Sequence, residues 1–372
     1  MGIRMLNKFL QDKCKTCISS INLSELSGKK IAVDISIYLY KFLSENVLLE
    51  NLYLMISIFR EHNIIPVFVF DGKPPVEKND TIEFRKKTKR NAREEYYRLK
   101  QILHDIESDV MDVSENESSN NTTTTVELDE DTTVSIPSKS EDIRMMMDKL
   151  KKKFVILKSD HIQNAKTLLQ AYGMTYIESP GEADMLCAKL VSKNIVYACL
   201  SEDTDMFVYG CSRVLRYLSL TSWTAILYDF QEIITTLDMT LHEFQQVCIM
   251  YGCDYLPKNE KQKYKHMTIF NSYKLFKNYK EYYKNSTTEY NTINSSDSSN
   301  SSDDKPDFYK WLLMQNSNMY SYVNEASTVI DLFDISHYDN LELYDNVKIM
   351  NGPIDRKRLI EVMEKENFIF IS

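Results

Sequence analysis

The hydrophobic pattern of the chain alternates between helical spacing and short, nearly unbroken apolar runs. Apolar residues at helical spacing within residues 3–10 predict a short amphipathic N-terminal helix. Apolar runs at 31–33, 64–70 (IIPVFVF) and 194–201 (NIVYACLS) predict strands that are buried on both faces. Helical spacing returns between the first two runs, near 48–59. Strands that alternate with helices predict an α/β fold with a central, mainly parallel sheet flanked by helices.

The second half of the chain carries further element signals. MFVYG at 206–210 and VLRYLSL at 214–220 predict two more strands, and an amphipathic helix is expected from Thr240 to Tyr251. The last part is rich in tyrosine and helical in spacing, and Pro353 with Asp355 predicts the start of a final helix. We therefore expect a helical C-terminal part.

Two stretches of low complexity divide the chain. Residues 105–142 are acidic, rich in Ser, Thr and Asn and poor in aromatics, so we predict an insertion without fixed structure. A Ser/Asn-rich segment at 285–305 predicts a flexible loop. The expected organisation is an N-terminal region (1–104), the acidic insertion, an internal region (143–256) and a C-terminal region (257–372).

Composition narrows the class of protein. With 372 residues and 43% hydrophobic content, the chain can bury a large core. It has no apolar run long enough to span a membrane and no signal-peptide core, so we expect an intracellular protein without a membrane partner. The seven cysteines are an odd number in mostly apolar surroundings, which predicts reduced, buried thiols. The lone CKTC at 14–17 has no second pair, which disfavours zinc.

The charge is unevenly distributed, although the net charge is −9. Residues 73–100 contain ten Lys and Arg against five Asp and Glu, whereas residues 105–142 contain twelve acids and one Lys. A basic helix predicted from Ile82 to Leu103 is consistent with a solvated surface. It follows an acid-bearing strand, however, so a clamp over a nucleic-acid strand is the other interpretation.

Carboxylates recur where the predicted strands end or the following helices begin. Ser179-Pro180-Gly181 predicts a helix entry that places the next acids near a helix N-terminus. Each acid pair alone is consistent with ordinary helix-start or loop residues. Together they are expected to converge on one crevice, because strand ends in an open α/β sheet gather ligands. The recurring acids are Asp34, Asp71, Glu182, Asp184, Asp203, Asp205 and Asp254.

An oxygen-only set of acids predicts hard divalent cations as cofactors. Mg²⁺ prefers carboxylates and water, and the set contains no His or Cys. Two Mg²⁺ ions, with Mn²⁺ as a substitute, could hold an attacking hydroxide and a leaving oxygen in an in-line displacement.

The motifs at these positions resemble the flap-endonuclease/XPG family of structure-specific 5′ nucleases. The resemblance covers most of the chain outside the low-complexity segments. It implies a PIN-like nuclease core, made by 1–104 and 143–256, with a helical arch through which a single-stranded 5′ flap passes and a DNA-binding region at 257–372. The motifs that carry it are KKIAVDISIYLY, PVFVFDGKPP, SPGEADMLCAKL, YACLSEDTDMFVYG and YGCDY.

The resemblance also implies roles for individual residues. Lys78 and Arg85 are expected to contact the scissile phosphate. Gly2 and Tyr40 are expected beside the reacting strand, and Arg90 and Arg93 continue the basic stretch as predicted DNA contacts. The first metal is implied at Asp34, Asp71, Glu182 and Asp184, and the second at Asp203 and Asp205 with Asp254 outside them.

The resemblance implies a metal-dependent endonuclease that cleaves 5′ flaps, with 5′–3′ exonuclease activity as an additional expectation, in DNA replication, repair or recombination. The expected partner is branched DNA with a free 5′ end. A non-catalytic DNA-junction scaffold and an RNA-cleaving relative remain alternatives. The sequence departs from the family between Tyr255 and Phe276, which contain no glycine where a Gly-x-Gly turn is expected. The duplex grip and binding of a monovalent ion are therefore in question.

Other expectations concern the protein's setting. The chain shows no recognisable sliding-clamp motif, and its oligomeric state is not predicted. Its high Asn, Lys, Ile and Tyr usage is typical of an AT-rich genome, such as that of a large DNA virus or a protist. We expect a nuclear location, or the host cytoplasm for a viral protein.

Overall fold

A computed structural model of the chain describes residues 2–117, 136–256, 267–293, 307–336, 347–365 and 368. Its centre is a seven-stranded sheet in the order β1-β7-β6-β5-β2-β3-β4. The strands are β1 (Ile18–Asn22), β2 (Lys30–Asp34), β3 (Ile65–Phe70), β4 (Thr175–Glu178), β5 (Ala198–Leu200), β6 (Arg213–Ser219) and β7 (Thr224–Asp229).

The sheet is mainly parallel, which confirms the predicted fold class. Strands β6, β5, β2, β3 and β4 run parallel to one another, whereas β7 pairs in antiparallel fashion with both β6 and the edge strand β1. The chain moves from β2 outward to β3 and β4 and then returns to β5 on the other side of β2. The carboxyl ends of β2 and β5 therefore flank a topological switch point, where α/β folds form a crevice.

Helices cover both faces of the sheet. They are α1 (Leu6–Lys13), α2 (Ile35–Ser44), α3 (Leu48–Glu61), α4 (Asn79–Glu117), α5 (Ile136–Lys153), α6 (Ser159–Ala171), α7 (Ala183–Ser192), α8 (Asp205–Val208), α9 (Phe230–Leu237), α10 (Leu241–Tyr251), α11 (Ile269–Ile293), α12 (Phe308–Gln315), α13 (Tyr320–Ile330) and α14 (Arg356–Glu364). Helices α2, α3, α6 and α14 share one apolar core, and α1, α7 and α9–α13 share the other.

Strand β3 shows how the sheet separates these two cores. Val67 and Val69 point into the core beneath α1 and α7, whereas Phe68 and Phe70 point into the core beneath α2 and α3. All four side chains are almost completely buried. The unbroken apolar run in the sequence is thus explained by burial on both faces, as expected for a parallel strand.

Side-chain caps fix two helix starts that the sequence predicts. Thr240 and Glu243 form a reciprocal capping box at the start of α10. The side chain of Asp355 accepts a hydrogen bond from the N–H of Arg358 at the start of α14. Both predictions are confirmed.

Residues 347–355, which precede α14, cover the outer edge of the sheet at β4. The guanidinium of Arg60 donates to the carbonyl of Tyr172 at 2.8 Å and to that of Gly352 at 2.5 Å. The N–H of Gly352 donates to the carbonyl of Gly173 at 2.7 Å. The Thr175 hydroxyl donates to backbone carbonyls of this segment. This covering segment protects an edge that would otherwise be open to pairing with another chain.

Helices α4 and α5 project from the core and pack on each other. Helix α4 follows β3, and α5 leads back to α6. The Arg144 guanidinium meets the Glu107 carboxylate at 2.7 Å, and the ring centroids of Tyr96 and Phe154 lie 5.4 Å apart. The Lys89 ammonium donates to the carbonyl of Val155 at 3.0 Å and ties the two helices together near the core. We call α4 and α5 the arch.

Three expectations are wrong. Residues 105–117 continue α4 and residues 136–142 belong to α5, so only 118–135 of the predicted insertion lies outside the described residues. The predicted loop at 285–305 is helical as far as Ile293, and 294–306 lie outside the description. Residues 205–208 form the short helix α8 instead of a strand, because the chain turns sharply after β5 to bury Met206 and Phe207.

The expectation for the cysteines agrees with the structure. All seven cysteines are buried and free, as predicted. Within the described ranges, no helix is both long and apolar enough to span a bilayer. The lysine-rich part of the glycine-free segment, 257–266, lies outside the described residues.

Candidate active site

Two of the acid-bearing loops are joined by backbone contacts at the carboxyl end of the sheet. The N–H of Gly72 donates to the carbonyl of Gly181 at 2.7 Å, directly after Asp71. A Cβ at Gly72 would lie 2.0 Å from the Ser179 carbonyl oxygen, so only glycine permits this approach. The carboxylate of Asp71 accepts the N–H of Ala183 at 2.9 Å, which brings it to the start of α7.

The predicted helix entry at Ser179 differs from the observed one. Helix α7 begins at Ala183 with Glu182 as its N-cap residue, and the Ser179 hydroxyl donates to the Glu182 carbonyl at 3.0 Å. Pro180 therefore lies in the loop before the helix. Glu182 and Asp184 nevertheless flank the first turn of α7, as expected.

A buried serine joins the acids of β2 to those that follow β5. The hydroxyl of Ser201 donates to Asp34 Oδ2 at 2.9 Å and accepts the N–H of Asp203 at 3.1 Å. The N–H of Asp205 donates to Asp203 Oδ1 at 3.0 Å. The sequence prediction missed Ser201, whose only signal was a polar residue at the end of an apolar strand.

The buried acids raise one another's pKa. Burial, followed by the charge of Asp71, raises the pKa of Asp34 to about 7. Burial, followed by the charge of Asp34, raises the pKa of Asp184 well above its usual value. Burial and the charges of Asp203 and Asp254 do the same to the pKa of Asp205. So many carboxylates in one place are unfavourable without a cation.

Three side chains, one from the 3₁₀ turn Val76–Lys78 and two from the first part of α4, contact these acids. The Lys78 ammonium forms an ion pair with Glu182, and both side chains are largely buried. Arg85 meets the Asp254 carboxylate at 2.5 Å. Between them, the hydroxyl of Thr81 donates to the carbonyl of Asp254 at 2.7 Å. The base of the arch is therefore held against the acid cluster by both side-chain charge and a backbone contact.

The pKa of Lys78 is consistent with a retained charge. Burial disfavours the ammonium, but Glu182 and then the charges of Asp184 and Asp205 outweigh burial and raise the pKa above its usual value. Lys78 thus remains protonated and available as a hydrogen-bond donor at neutral pH.

The donor set fits a hard divalent cation, although the side chains are not arranged as a finished cage. Within the described ranges, no three His, Cys, Asp or Glu side chains are close enough to hold a metal ion as placed. Lys78 and Arg85 engage two of the acids instead. The buried atoms Asp184 Oδ1 and Asp205 Oδ1 have no hydrogen-bond partner among the residues that the structure describes, which leaves two carboxylate oxygens to be satisfied by a cation.

Gly2 touches the centre of the cluster. Its backbone has φ of +74°, and a Cβ there would lie 2.1 Å from Asp203 Oδ1 and 2.5 Å from Asp205 Oδ1. The structure therefore leaves no space for a side chain at this position. The sequence prediction placed Gly2 near the reacting strand, and its nearest neighbours are the acids themselves.

We expect Gly2→Ala to lower kcat for DNA cleavage by about 100-fold, because the added methyl displaces both aspartates. Gly28→Ala is the matched control. It has a similar φ of +71°, but its Cβ would meet only the Asn63 amide at 4.0 Å. The strain of a positive φ is common to both variants, so thermal unfolding of Gly28→Ala measures that strain alone, and Gly2→Ala should lose more stability because of its clash with the aspartates. Equal kcat values for the two variants would contradict the assignment.

We also expect the stabilising effect of a divalent cation to depend on pH. The folded-state pKa of Asp34, about 7, exceeds its usual value of 3.8, so the folded protein binds more protons between these values. The free energy of unfolding from this group therefore falls as pH rises through that window. Mn²⁺ should raise the unfolding temperature more at about pH 8 than at about pH 5.5. Equal shifts, measured against KCl of the same ionic strength, would contradict this.

The remaining predicted DNA contacts lie further from the acids. The exposed ring of Tyr40 lies under the Lys89 ammonium, 4.8 Å from its centroid. Arg90 and Arg93 are exposed on α4; Arg90 lies 3.9 Å from Glu94, and the Arg93 guanidinium lies over the Tyr97 ring. The structure brings Tyr40 near the site and places the two arginines along the arch.

Comparisons with known proteins agree with this architecture. Family models match as the XPG N-terminal domain over residues 1–92 and the XPG I-region over residues 173–254. The chain is 28% identical over 294 residues to a probable RAD2-like endonuclease of Invertebrate iridescent virus 6, covering 68% of this chain and 67% of that protein. It is 31% identical over 275 residues to flap endonuclease 1 of Candida tropicalis, covering 68% and 63%.

Solved structures share the fold. The catalytic core of Rad2 in complex with DNA substrate superimposes with a TM-score of 0.58 at 21% identity, covering 96% of this chain and 94% of that one. The flap endonuclease-1 of Methanococcus jannaschii superimposes with a TM-score of 0.54 at 19% identity, covering 98% and 93%.

The two matched domains together contain all seven acids and both arch cations. The matches span about two thirds or less of the curated relatives' own length, for example 66% of flap endonuclease 1 of Glossina morsitans morsitans and 61% of that of Leishmania major. The two domain models and the sequence relatives show that the chain belongs to the flap-endonuclease/XPG family.

Proposed function

We propose that the chain is a divalent-metal-dependent, structure-specific DNA endonuclease that cleaves 5′ flaps and also degrades free 5′ ends. The observation that carries this proposal is the cluster of acids around the buried Asp34, Asp203 and Asp205, with Lys78 and Arg85 pressed against it from the arch. Its sequence relatives include proteins named flap endonuclease 1 and RAD2-like endonuclease. The setting that suits such an activity is DNA replication, repair or recombination.

The acids would hold two metal ions and fix their positions. Asp34, Asp71, Glu182 and Asp184 would bind one ion, and Asp203 and Asp205 a second, with Asp254 acting from further out. When bound, two Mg²⁺ ions lower the pKa of a water nucleophile and stabilise the leaving 3′ oxygen. Through its hydrogen bonds to Asp34 and Asp203, Ser201 would fix the position of the first ion's ligands relative to the second ion's ligands.

When DNA binds, Lys78 and Arg85 at the base of the arch would exchange their carboxylate partners for the phosphate. Lys78 and Arg85 neutralise Glu182 and Asp254 in the DNA-free protein. A bound scissile phosphate would compete for both donors, while metal would satisfy the acids they leave. Each donor would stabilise charge that grows on the phosphate during cleavage. Tyr40, beside Asp71 and the Lys89 ammonium, would stack on a neighbouring base.

A DNA-binding scaffold without catalysis fits the cluster less well. The buried, mutually repelling acids raise one another's pKa, which is unfavourable to folding at neutral pH unless a cation is bound. A scaffold would gain nothing from that cost. An RNA-cleaving enzyme would use the same acids, so substrate assays must distinguish it.

The test is cleavage of a labelled 5′-flap duplex with Mg²⁺, compared with Mn²⁺ and with chelator. Blunt duplex, single-stranded DNA and the same flap made of RNA serve as controls. We expect Mg²⁺-dependent incision at the flap junction that is faster than on any control. Binding of the flap without cleavage of any substrate would overturn the enzyme proposal. Faster cleavage of the RNA flap would instead support the RNA-cleaving alternative.

A further inference from the structure

A buried chain of hydrogen bonds leads from the core to Glu182. The Tyr255 hydroxyl donates to Glu182 Oε2 at 2.5 Å, and the hydroxyls of Tyr209 and Tyr255 lie 3.0 Å apart. Because the single proton of Tyr255 is used on the carboxylate, Tyr209 must donate to Tyr255. The protons of both tyrosines therefore point in one direction, toward Glu182.

Glu182 is held at both oxygens by this arrangement. Its Oε1 accepts from Lys78 and its Oε2 accepts from Tyr255. The Lys78 ammonium also lies over the ring of Tyr255, 5.5 Å from its centroid. One aromatic residue thus touches both an expected metal ligand and an expected phosphate-binding cation, through its hydroxyl and its ring face respectively.

The two tyrosines are supported from the C-terminal helical part. Phe333, in the turn that follows α13, is 1% exposed and packs on both rings. Its ring centroid lies 5.0 Å from that of Tyr209 and 5.2 Å from that of Tyr255. Aromatic pairs at these distances resist reorientation because their edge-to-face geometry is specific.

We propose that Tyr255 is a positioning residue that fixes the orientation of Glu182 and Lys78, and that Tyr209 acts through it as a donor. This inference rests on the proposed function. Tyr255 is 5% exposed and Tyr209 is 2% exposed, so neither reaches the substrate and both act through the residues they contact. Outer hydrogen-bond partners of metal ligands set ligand orientation, and their loss typically lowers metal affinity or activity by about 10–100-fold.

The two phenylalanine variants separate the hydroxyl from the ring. Tyr255→Phe removes the bond to Glu182 and keeps the ring beneath Lys78 and against Phe333. Tyr209→Phe removes only the donor to Tyr255. The matched control is Tyr309→Phe, which also deletes a buried hydroxyl, one that donates to the Gln246 carbonyl at 2.8 Å away from the acids.

The experiment measures Mn²⁺ binding by calorimetry without DNA, and kcat and KM on the 5′-flap duplex with Mg²⁺. For Tyr255→Phe we expect the Mn²⁺ dissociation constant to rise about tenfold and kcat to fall about tenfold. KM should stay near the wild-type value because Tyr255 does not contact DNA. Tyr209→Phe should change both quantities in the same direction by less, and Tyr309→Phe should change neither.

The outcomes distinguish this inference from the proposed function. Equal Mn²⁺ affinity and equal kcat for Tyr255→Phe and Tyr309→Phe would overturn the positioning role, even in an active nuclease. If the wild-type protein bound Mn²⁺ but cut no DNA, the proposed function would fail. A weaker Mn²⁺ affinity confined to Tyr255→Phe and Tyr209→Phe would still support the positioning role in that case.

Discussion

Asp203→Asn is expected to abolish cleavage of a 5′-flap duplex, with a loss of at least about 10³-fold in kcat. Asp203 lies at the centre of the cluster, next to Gly2. Its carboxylate accepts the N–H of Asp205, and its own N–H donates to the Ser201 hydroxyl. Asparagine has the same shape, and its amide oxygen can still accept the N–H of Asp205. The change therefore removes one charge and one metal-binding oxygen while it leaves the local fold intact.

The same variant should bind flap DNA as tightly as wild type or more tightly. A negative charge removed from the crevice reduces repulsion toward the phosphate backbone. In the absence of divalent metal, its unfolding temperature should rise, because burial raises the pKa of Asp203 and the charged form is disfavoured. Glu61→Gln, at an exposed position at the end of α3, is the control.

For Asp203→Asn, cleavage should thus fall while DNA affinity is kept or rises and the unfolding temperature rises. Near-normal cleavage by Asp203→Asn would show that the second metal does not bind where we propose. A parallel loss of cleavage, binding and stability would indicate misfolding, and Asp205→Asn would then be the second variant to examine.

Lys78→Ala and Arg85→Ala are each expected to lower kcat by about 10²–10³-fold. Each removes one donor aimed at the acid crevice, so charge that develops on the scissile phosphate is less well stabilised. Lys78→Ala should also destabilise the protein more than Arg85→Ala does, because it leaves the largely buried Glu182 without its cation. Arg85 is 43% exposed at its side chain and should affect stability little.

The control for both is Lys193→Ala, which removes an exposed positive charge at the end of α7 remote from Glu182. Single-turnover cleavage separates the chemical step from product release. If either arch variant cut as fast as Lys193→Ala, that residue would have no part in phosphate stabilisation. Lys78→Arg should restore charge but not the contact with the Tyr255 ring and Glu182, so partial recovery is expected.

The central part of the fold could be predicted from the sequence because burial leaves a direct pattern. The unbroken apolar runs of β2, β3 and β5 follow from burial on both faces of the sheet. Strand β1 is mostly exposed and contains two serines, and β4 has only four residues, so neither carries such a pattern. Both are fixed by pairing with strands that are distant in sequence.

The acids could be identified, but their partners could not. The positions of Asp34, Asp71 and Asp203 follow from strand ends and from the family motifs. The contacts of Ser201, Thr81 and Tyr209 depend on how separate loops meet, and spacing along the chain does not encode this. Composition likewise indicated disorder for residues 105–117, where packing against α5 instead extends a polar helix.

The arch leaves the core after β3 and returns at α6, and its two ends are tied together by Lys89 and Val155. With the ends fixed, the length of the connection between α4 and α5 does not alter how the base of the arch meets the acids. Selection on folding therefore places little constraint on the number of residues between Glu117 and Ile136. Homologous genes should vary more in length at this point than anywhere within the β3–Asp254 core, and insertions there should accumulate without loss of the acid cluster.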